Sequence, residues 1–249
     1  MAQDIPLDDP LYTDAALVAF YDAENDWGED RAFCAHLARA AGSVLDLGCG
    51  TGAFLAGIDA GERVGVDPAG AMLEVARHRP GGADVRWIEA DARYLALDRR
   101  FDLIVMTGHA FQVFLTEDDQ RAALASIARH LAPAGSFIFD SRNPACREWE
   151  EWQPAMSERQ IEHPRHGRVT AWNTAVQDEA SGIVTYGTFY RLADGRVLSA
   201  DSRIRFTPAA DLARMIVGAG LAVDRWFGDW AGGPMTLQSA EIIPLGRRA

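Results

Sequence analysis

The stretch Val44–Gly52, VLDLGCGTG, constrains this chain more than any other feature of its sequence. A short apolar run carries one aspartate, Asp46, then breaks into Gly48, Gly50 and Gly52 at alternate positions. So short a run reads as a buried strand. Glycines spaced in this way read as a turn whose backbone a ligand can approach closely. A helix follows in TGAFLAGIDA, then a strand in RVGVD and a helix in AGAMLEVARHR, stopped at Pro80. VRWIEAD and FDLIVM are further strands, TEDDQRAALASIARHLAP is a helix with Thr116 as its N-cap, and GSFIFD is a fifth strand. Strands alternating with helices imply right-handed crossovers and a parallel sheet covered on both faces. In such sheets, ligands sit at the carboxyl ends of the strands, where strand order reverses.

The pattern changes after Pro144. Residues 158–206 hold β-branched and aromatic runs (RVTAWNTAVQ, GIVTYGTFYRL, RVLSADSRIRF) separated by turn chemistry, which predicts an antiparallel β lobe. A helix returns in TPAADLARMIVGAG, with Thr207 as cap and Pro208 at its first position, and two last strands follow. Residues 13–41 read as helical, divided by DAENDWGED. The expected organisation is an N-terminal helical cap (1–42), a core (43–157 and 207–249) and the inserted lobe (158–206).

Charge and cysteine usage exclude several function classes. The net charge of −12 argues against non-specific nucleic-acid binding, which needs a basic surface. Three cysteines without C-x-x-C spacing argue against a disulfide framework or a zinc site and for a reducing compartment. The N-terminus does not read as a signal peptide, and no apolar run approaches the ~20 residues of a membrane span. A cytoplasmic protein is expected. No local set of His, Cys or acids has ligand spacing, so no metal is expected.

Two ligand classes compete for the glycine turn. Gly48, Gly50 and Ala53 match the G-x-G-x-x-A spacing of dinucleotide sites. Pyrophosphate is anionic, however, and Asp46 puts negative charge beside the turn. S-adenosylmethionine, with an ammonium and a sulfonium, suits that charge better. Asp67 ends the second predicted strand, where a carboxylate can accept from both ribose hydroxyls, and capping the next helix is its alternative role. Asp91, in EADAR, can accept from an adenine amine while the Ala92 N–H donates to a ring nitrogen.

Taken in order, VLDLGCGTG, VGVDPAGAML, IEADAR, FDLIVM and LAPAGSFIFD resemble the motifs of the class I S-adenosylmethionine-dependent methyltransferases, over about residues 43–140. The resemblance implies a Rossmann-like, doubly wound α/β fold with a seven-stranded, mostly parallel sheet whose last strand is reversed. It implies that Asp46, Gly48, Gly50 and the Cys49 backbone line the methionine portion of the cofactor, Asp67 the ribose, and Asp91, Ala92 and Met72 the adenine. Pro68, within VGVDPAGAML, and Thr107, directly after FDLIVM, complete the expected cofactor set. FYDAENDW is similar to a segment that folds over the cofactor in small-molecule members, which makes Tyr21 a candidate contact.

The turn TGHAFQVF then borders the sulfur and the acceptor, with His109 as a base or orienting group and Gln112 as an acceptor contact. Arg142, after the fifth strand, can bind an acceptor anion. Trp172 and Tyr186 of the lobe can roof the acceptor. The chain lacks the N-P-P-[YF] of many methyltransferases acting on nucleic acids and proteins. The expected reaction is methyl transfer from S-adenosylmethionine to a nitrogen or oxygen of a small-molecule acceptor, with no nucleic-acid or membrane partner. An NAD-dependent oxidoreductase and a non-catalytic S-adenosylmethionine-binding module are the alternatives. Oligomeric state is not legible in the sequence.

Overall fold

The computed structural model describes residues 9–249, so residues 1–8 of the expected cap lie outside the described residues. Three helices come first: α1 (Pro10–Thr13), α2 (Ala15–Glu24) and α3 (Glu29–Ala38). Alternation follows through β1 (Ser43–Leu47), α4 (Ala53–Gly57), β2 (Glu62–Asp67), α5 (Gly70–His78), β3 (Arg86–Glu89), β4 (Phe101–Met106), α6 (Glu117–His130), β5 (Leu131–Phe139) and the short β6 (Ser141–Arg142). After α7 (Pro154–Ser157) come β7 (Arg159–His163), β8 (Gly167–Asp178), β9 (Ile183–Arg191) and β10 (Val197–Arg205). The chain ends in α8 (Ala209–Gly218), β11 (Leu221–Phe227) and β12 (Glu241–Arg248).

The main sheet has the order β3-β2-β1-β4-β5-β12-β11, with β6 also on β12. Its pairings are parallel except those of β12, which runs antiparallel to β5 and β11. This is the mostly parallel seven-stranded sheet with a reversed last strand. Strand order turns back between β1 and β4, which sets the glycine turn after β1 at the switch point.

Residue alternation sends successive side chains to opposite faces. Leu45, Leu47, Ile104, Met106, Phe137 and Phe139 pack beneath α6 and α8, against Leu124, Ile127, Leu212 and Ile216. Val44, Leu103, Val105 and Ile138 face α3 and α4, against Cys34, Ala38, Phe54 and Leu55. Each such side chain contributes about 1.5–3 kcal/mol when fully buried. Alternation also puts Asp46 on the Val44 face, an acid at the end of an apolar strand.

The α6 cap is as expected: Thr116 Oγ1 accepts from the Asp119 N–H at 3.1 Å. The α8 cap is not. Thr207 is buried and its hydroxyl pairs with Gln120, at 2.8 Å from Nε2, so the helix begins after Pro208 with no side-chain cap. Its hydroxyl both accepts from and donates to the Gln120 amide, which turns it toward α6, and the cap position falls to Pro208, whose side chain has no acceptor.

The second sheet is a meander in the order β7-β8-β9-β10. One of its faces buries Ile161, Val169, Ala171 and Tyr190 against Leu17 and Phe20 of α2. The ring of His163 packs tilted against Phe20, centroids 4.5 Å apart, and its Nε2 donates to the Ala19 carbonyl at 3.0 Å. The first helices are thus held between the two sheets. No helix among the described residues is long and apolar enough to cross a membrane.

Candidate functional site

A cleft of about 1290 Å³ lies between the carboxyl edge of the main sheet and the second sheet, with α1 and α2 along it. One half is built on the glycine turn. Gly48, Gly50 and Gly52 all have left-handed backbone, with φ of 75°, 53° and 74°. Side chains would be strained there, and at Gly48 and Gly52 space forbids them too. A Cβ on Gly48 would stand 2.8 Å from Ala110 Cβ, and one on Gly52 would stand 2.4 Å from the Trp87 ring. The Gly48 and Cys49 N–H groups donate to the Val66 carbonyl at 2.8 and 3.1 Å. Asp67 holds two turns at once: Oδ2 accepts from Gly50 N–H and Oδ1 from Ala69 N–H, each at 2.8 Å. Its carboxyl is nevertheless raised, because burial outweighs those two bonds.

Asp46 lies just behind this turn, 2 % exposed, and its Oδ1 has no hydrogen-bond partner. Burial, and then the charge of Asp67, push its carboxyl up to about 8, with Arg31 working against them. A buried, unpartnered acid oxygen is costly and calls for a donor. Neither motif nor spacing singles out Arg31, yet it lines the cleft, and its charge acts on both Asp46 and Tyr21. Its Nη1 donates to the Asn25 and Asp26 carbonyls at 3.0 Å each. The one signal in the sequence is a basic residue directly after the acidic first turn of α3.

Tyr21 folds over the turn, its hydroxyl 3.7 Å from where a Cβ of Gly50 would be. Burial pushes its phenol up to about 12. The next residue anchors the helix: Thr51 Oγ1 donates to Asp22 Oδ1 at 2.7 Å, and Arg79 pairs with both Asp22 and the Thr51 carbonyl. Pro68, Met72, Ala92 and Thr107 line the cleft with Gly48, Gly50 and Asp67. Cys49 does not. Its thiol is buried against Gly65 and raised well above the ordinary range by that burial, which leaves only its backbone to a ligand. Asp91 lines the cleft with its carboxylate already forked by Arg93, at 3.0 Å from Nε to each oxygen, and Arg93 reaches on to Asp119 at 2.7 Å.

The other half of the cleft is built from side chains of distant segments. His109 has left-handed backbone, φ 61°, and donates its N–H to Asp140 Oδ1 at 2.9 Å. Its Nε2 is 2.9 and 3.1 Å from the two oxygens of Glu241 and 3.8 Å from Asp140 Oδ2. Burial, together with the charge of Glu241, pushes the Asp140 carboxyl up to about 6, against the pull of His109. Burial also works to raise Glu241, but the His109 bond and Arg142 prevail and its carboxyl is lowered.

Both acids escaped the sequence reading. Glu241 lies 132 residues from His109, and an acid in the apolar strand SAEII is its only trace. The expectation that no ligand-like set exists is corrected here. His109, Asp140 and Glu241 bring donor atoms within 4.8 Å of one another through the fold, not through local spacing. Nε2 of His109 already lies against both oxygens of Glu241, and no metal role is assigned to the three groups.

Two expected acceptor contacts are displaced. Gln112 is fully buried outside the cleft wall: Nε2 donates to the Arg205 carbonyl at 3.1 Å and Oε1 accepts from Arg142 Nη1 at 3.1 Å. Trp172 alternates onto the far face of the second sheet, stacked on Phe189 at 5.2 Å with Arg191 over its ring. Arg142 and Tyr186 do line the cleft. Arg142 is paired with Glu148 at 3.2 Å and lies over Trp152, while Tyr186 meets Tyr12 hydroxyl to hydroxyl at 3.2 Å. Glu24 closes one end, accepting from Tyr190 at 2.5 Å and pairing with Arg159.

Comparison with known proteins agrees with this fold. A family model described as a methyltransferase domain matches residues 44–135. The chain is 32% identical over 206 residues to a cypemycin N-terminal methyltransferase from a Streptomyces species, covering 81% of each protein. It is 32% identical over 102 residues to a dTDP-3-amino-3,4,6-trideoxy-alpha-D-glucopyranose N,N-dimethyltransferase of Streptomyces venezuelae, covering 40% of this chain and 42% of that one. The CcbJ methyltransferase of Streptomyces caelestis has the same fold, with a TM-score of 0.72 at 24% identity over 89% of this chain and 88% of that one.

Proposed function

This chain belongs to the class I S-adenosylmethionine-dependent methyltransferases, and from that premise we propose that its acceptor is the amino nitrogen of a small molecule or short peptide. S-adenosylmethionine is its cosubstrate and supplies an electrophilic methyl on sulfur. The residues present fit that group: the orphaned Asp46 Oδ1 calls for a cationic donor, and the glycine turn offers backbone where side chains are barred. In this reading Asp46 takes the ammonium of the methionyl end, through water where it does not reach directly. Arg31 takes the carboxylate, Tyr21 covers both, Asp67 the ribose, and Met72 and Ala92 flank the adenine near Asp91.

The observation that carries the acceptor class is the charge and character of the cleft wall. Eleven carboxylates and five arginines line it, and Tyr12, Tyr21, Tyr186 and Trp152 supply aromatic faces. An acidic chamber concentrates cations, and aromatic faces attract an ammonium and its methylated product. The names of the two relatives, one acting at a peptide N-terminus and one on an amino sugar, support an amine. In this proposal the lobe at 158–206 and the described part of the cap, 9–42, cover the acceptor, and Arg142 and Tyr186 meet it. The acidic surface and the free cysteines support a cytoplasmic enzyme without a nucleic-acid or membrane partner.

The test is methyl incorporation from labelled S-adenosylmethionine into a panel of tripeptides with free N-termini, amino sugars, their N-acetylated counterparts and amine-free sugars. Label is expected in the free amines and absent from their N-acetylated forms. Label confined to amine-free sugars would overturn the amine reading.

A further inference from the structure

We infer that Glu241, on the reversed last strand, is a positioning residue that fixes the ring of His109 so that Nδ1 takes the proton of the acceptor amine. The inference rests on the amine reading above and names a residue that neither motif nor resemblance assigns.

Four observations converge on one side chain. First, the His109 backbone is left-handed, a conformation that costs a non-glycine residue and persists only where its surroundings impose it. Second, the imposing group is Asp140 at the end of β5, fully buried, which accepts the His109 N–H. Third, the ring is held separately by β12, with Nε2 against both oxygens of Glu241. Fourth, Nδ1 has no partner among the described residues, and His109 lines the cleft. Two carboxylates from two strands thus hold one histidine, one by its backbone and one by its ring. A tight turn needing only a capped histidine would not require the second.

The tautomer follows from charge. Arg142 and His109 keep Glu241 on the ionised side, against the burial that works to neutralise it. An ionised carboxylate only accepts, so in the neutral ring the single hydrogen sits on Nε2 and Nδ1 keeps its lone pair. The charged groups facing the ring are Glu241 and Asp140, with Arg142 beside Glu241 and Asp30 farther off beside Asp140.

An ammonium acceptor has no lone pair for attack. Its N–H bond breaks, the electron pair stays on nitrogen, and the proton moves to Nδ1. The imidazolium so formed is stabilised by Glu241 across the ring and passes its proton to water after turnover. The freed pair forms the new N–C bond while the C–S pair returns to sulfur, so charge and atoms balance with no further reactant.

The experiment is long-range 1H–15N NMR of the ligand-free, full chain, wild type against Glu241→Gln and His109→Gln. The wild-type His109 ring is expected as the Nε2–H form, and Glu241→Gln is expected to return it to a mixture of tautomers. Calorimetry with S-adenosylhomocysteine is expected to give a dissociation constant within about twofold of wild type in both variants, because the cofactor half is untouched. Turnover of the tripeptide amine falls about 100- to 10,000-fold in His109→Gln and by a lesser factor in Glu241→Gln, in kcat rather than KM. An unchanged tautomer or unchanged kcat in Glu241→Gln overturns the inference. So does activity that chelator abolishes and a divalent cation restores, which would make the three groups ligands. Failure of the wild type to bind S-adenosylhomocysteine would instead sink the methyl-transfer reading, and the base role with it.

Discussion

In the half of the cleft proposed for the cofactor, backbone and near neighbours do most of the holding. Gly48 and Gly50 turn the chain, Asp67 receives two N–H groups, and the lining from Gly48 to Ala92 is close in sequence, with Tyr21, Arg31 and Thr107 reaching it from elsewhere. In the half proposed for the acceptor, side chains do it, and they arrive from α1, α2, the turn after β4, the end of β5, the second sheet and β12. The first half is shaped by what glycine alone can adopt and by the switch point of a parallel sheet. The second is shaped by which carboxylate meets which ring across more than a hundred residues. A family can keep the first and vary the second, which is why a shared donor goes with many acceptors.

The sharpest break of this contrast is Asp67→Ala. It removes the acceptor of two backbone N–H groups as well as the proposed ribose contact. Charged hydrogen bonds contribute about 1.5–3 kcal/mol each, so S-adenosylhomocysteine affinity is expected to fall at least about 100-fold by calorimetry. A loss below tenfold would mean that the turn shapes itself without Asp67.

A middle-sized effect comes from pH. Asp46 titrates at about 8 in the ligand-free chain, raised chiefly by burial. Below that pH it is protonated, and pairing with a ligand ammonium requires it to lose the proton. Affinity for S-adenosylhomocysteine is therefore expected to climb with pH, by about tenfold per unit at most, and to level off above about 8. Asp46→Asn should weaken binding and flatten that dependence. A wild-type profile flat between pH 6 and 8 would place the ammonium elsewhere.

The smallest effects belong to the two displaced aromatic and amide side chains. Trp172→Ala, on the outer face of the second sheet, should leave kcat/KM within about twofold. Gln112→Ala should read out as lost stability, about 1–3 kcal/mol in chemical denaturation, because it strands a buried carbonyl and frees Arg142. A large loss of turnover in Trp172→Ala would bring the far face of that sheet into the acceptor site and undo the contrast.

What the sequence determined by itself is the part governed by local rules. Period, turn chemistry and glycine spacing were enough for the alternating core, the antiparallel lobe and the turn at Gly48–Gly52, because backbone conformation answers to neighbours a few residues away. That Asp67 ends a strand at the carboxyl edge of the sheet and Ala92 follows the next one came from the same rules, whereas Tyr21 and Met72 came from the family resemblance; all four line the cleft. Only the tertiary structure decided that Thr207 pairs with Gln120 instead of capping α8, that Gln112 braces Arg142 behind the cleft wall, and that Trp172 faces away from it. It alone brought Glu241 and Asp140 to His109, since a strand's place in a sheet is set by packing over the whole chain and a carboxylate carries no mark of the ring it will meet.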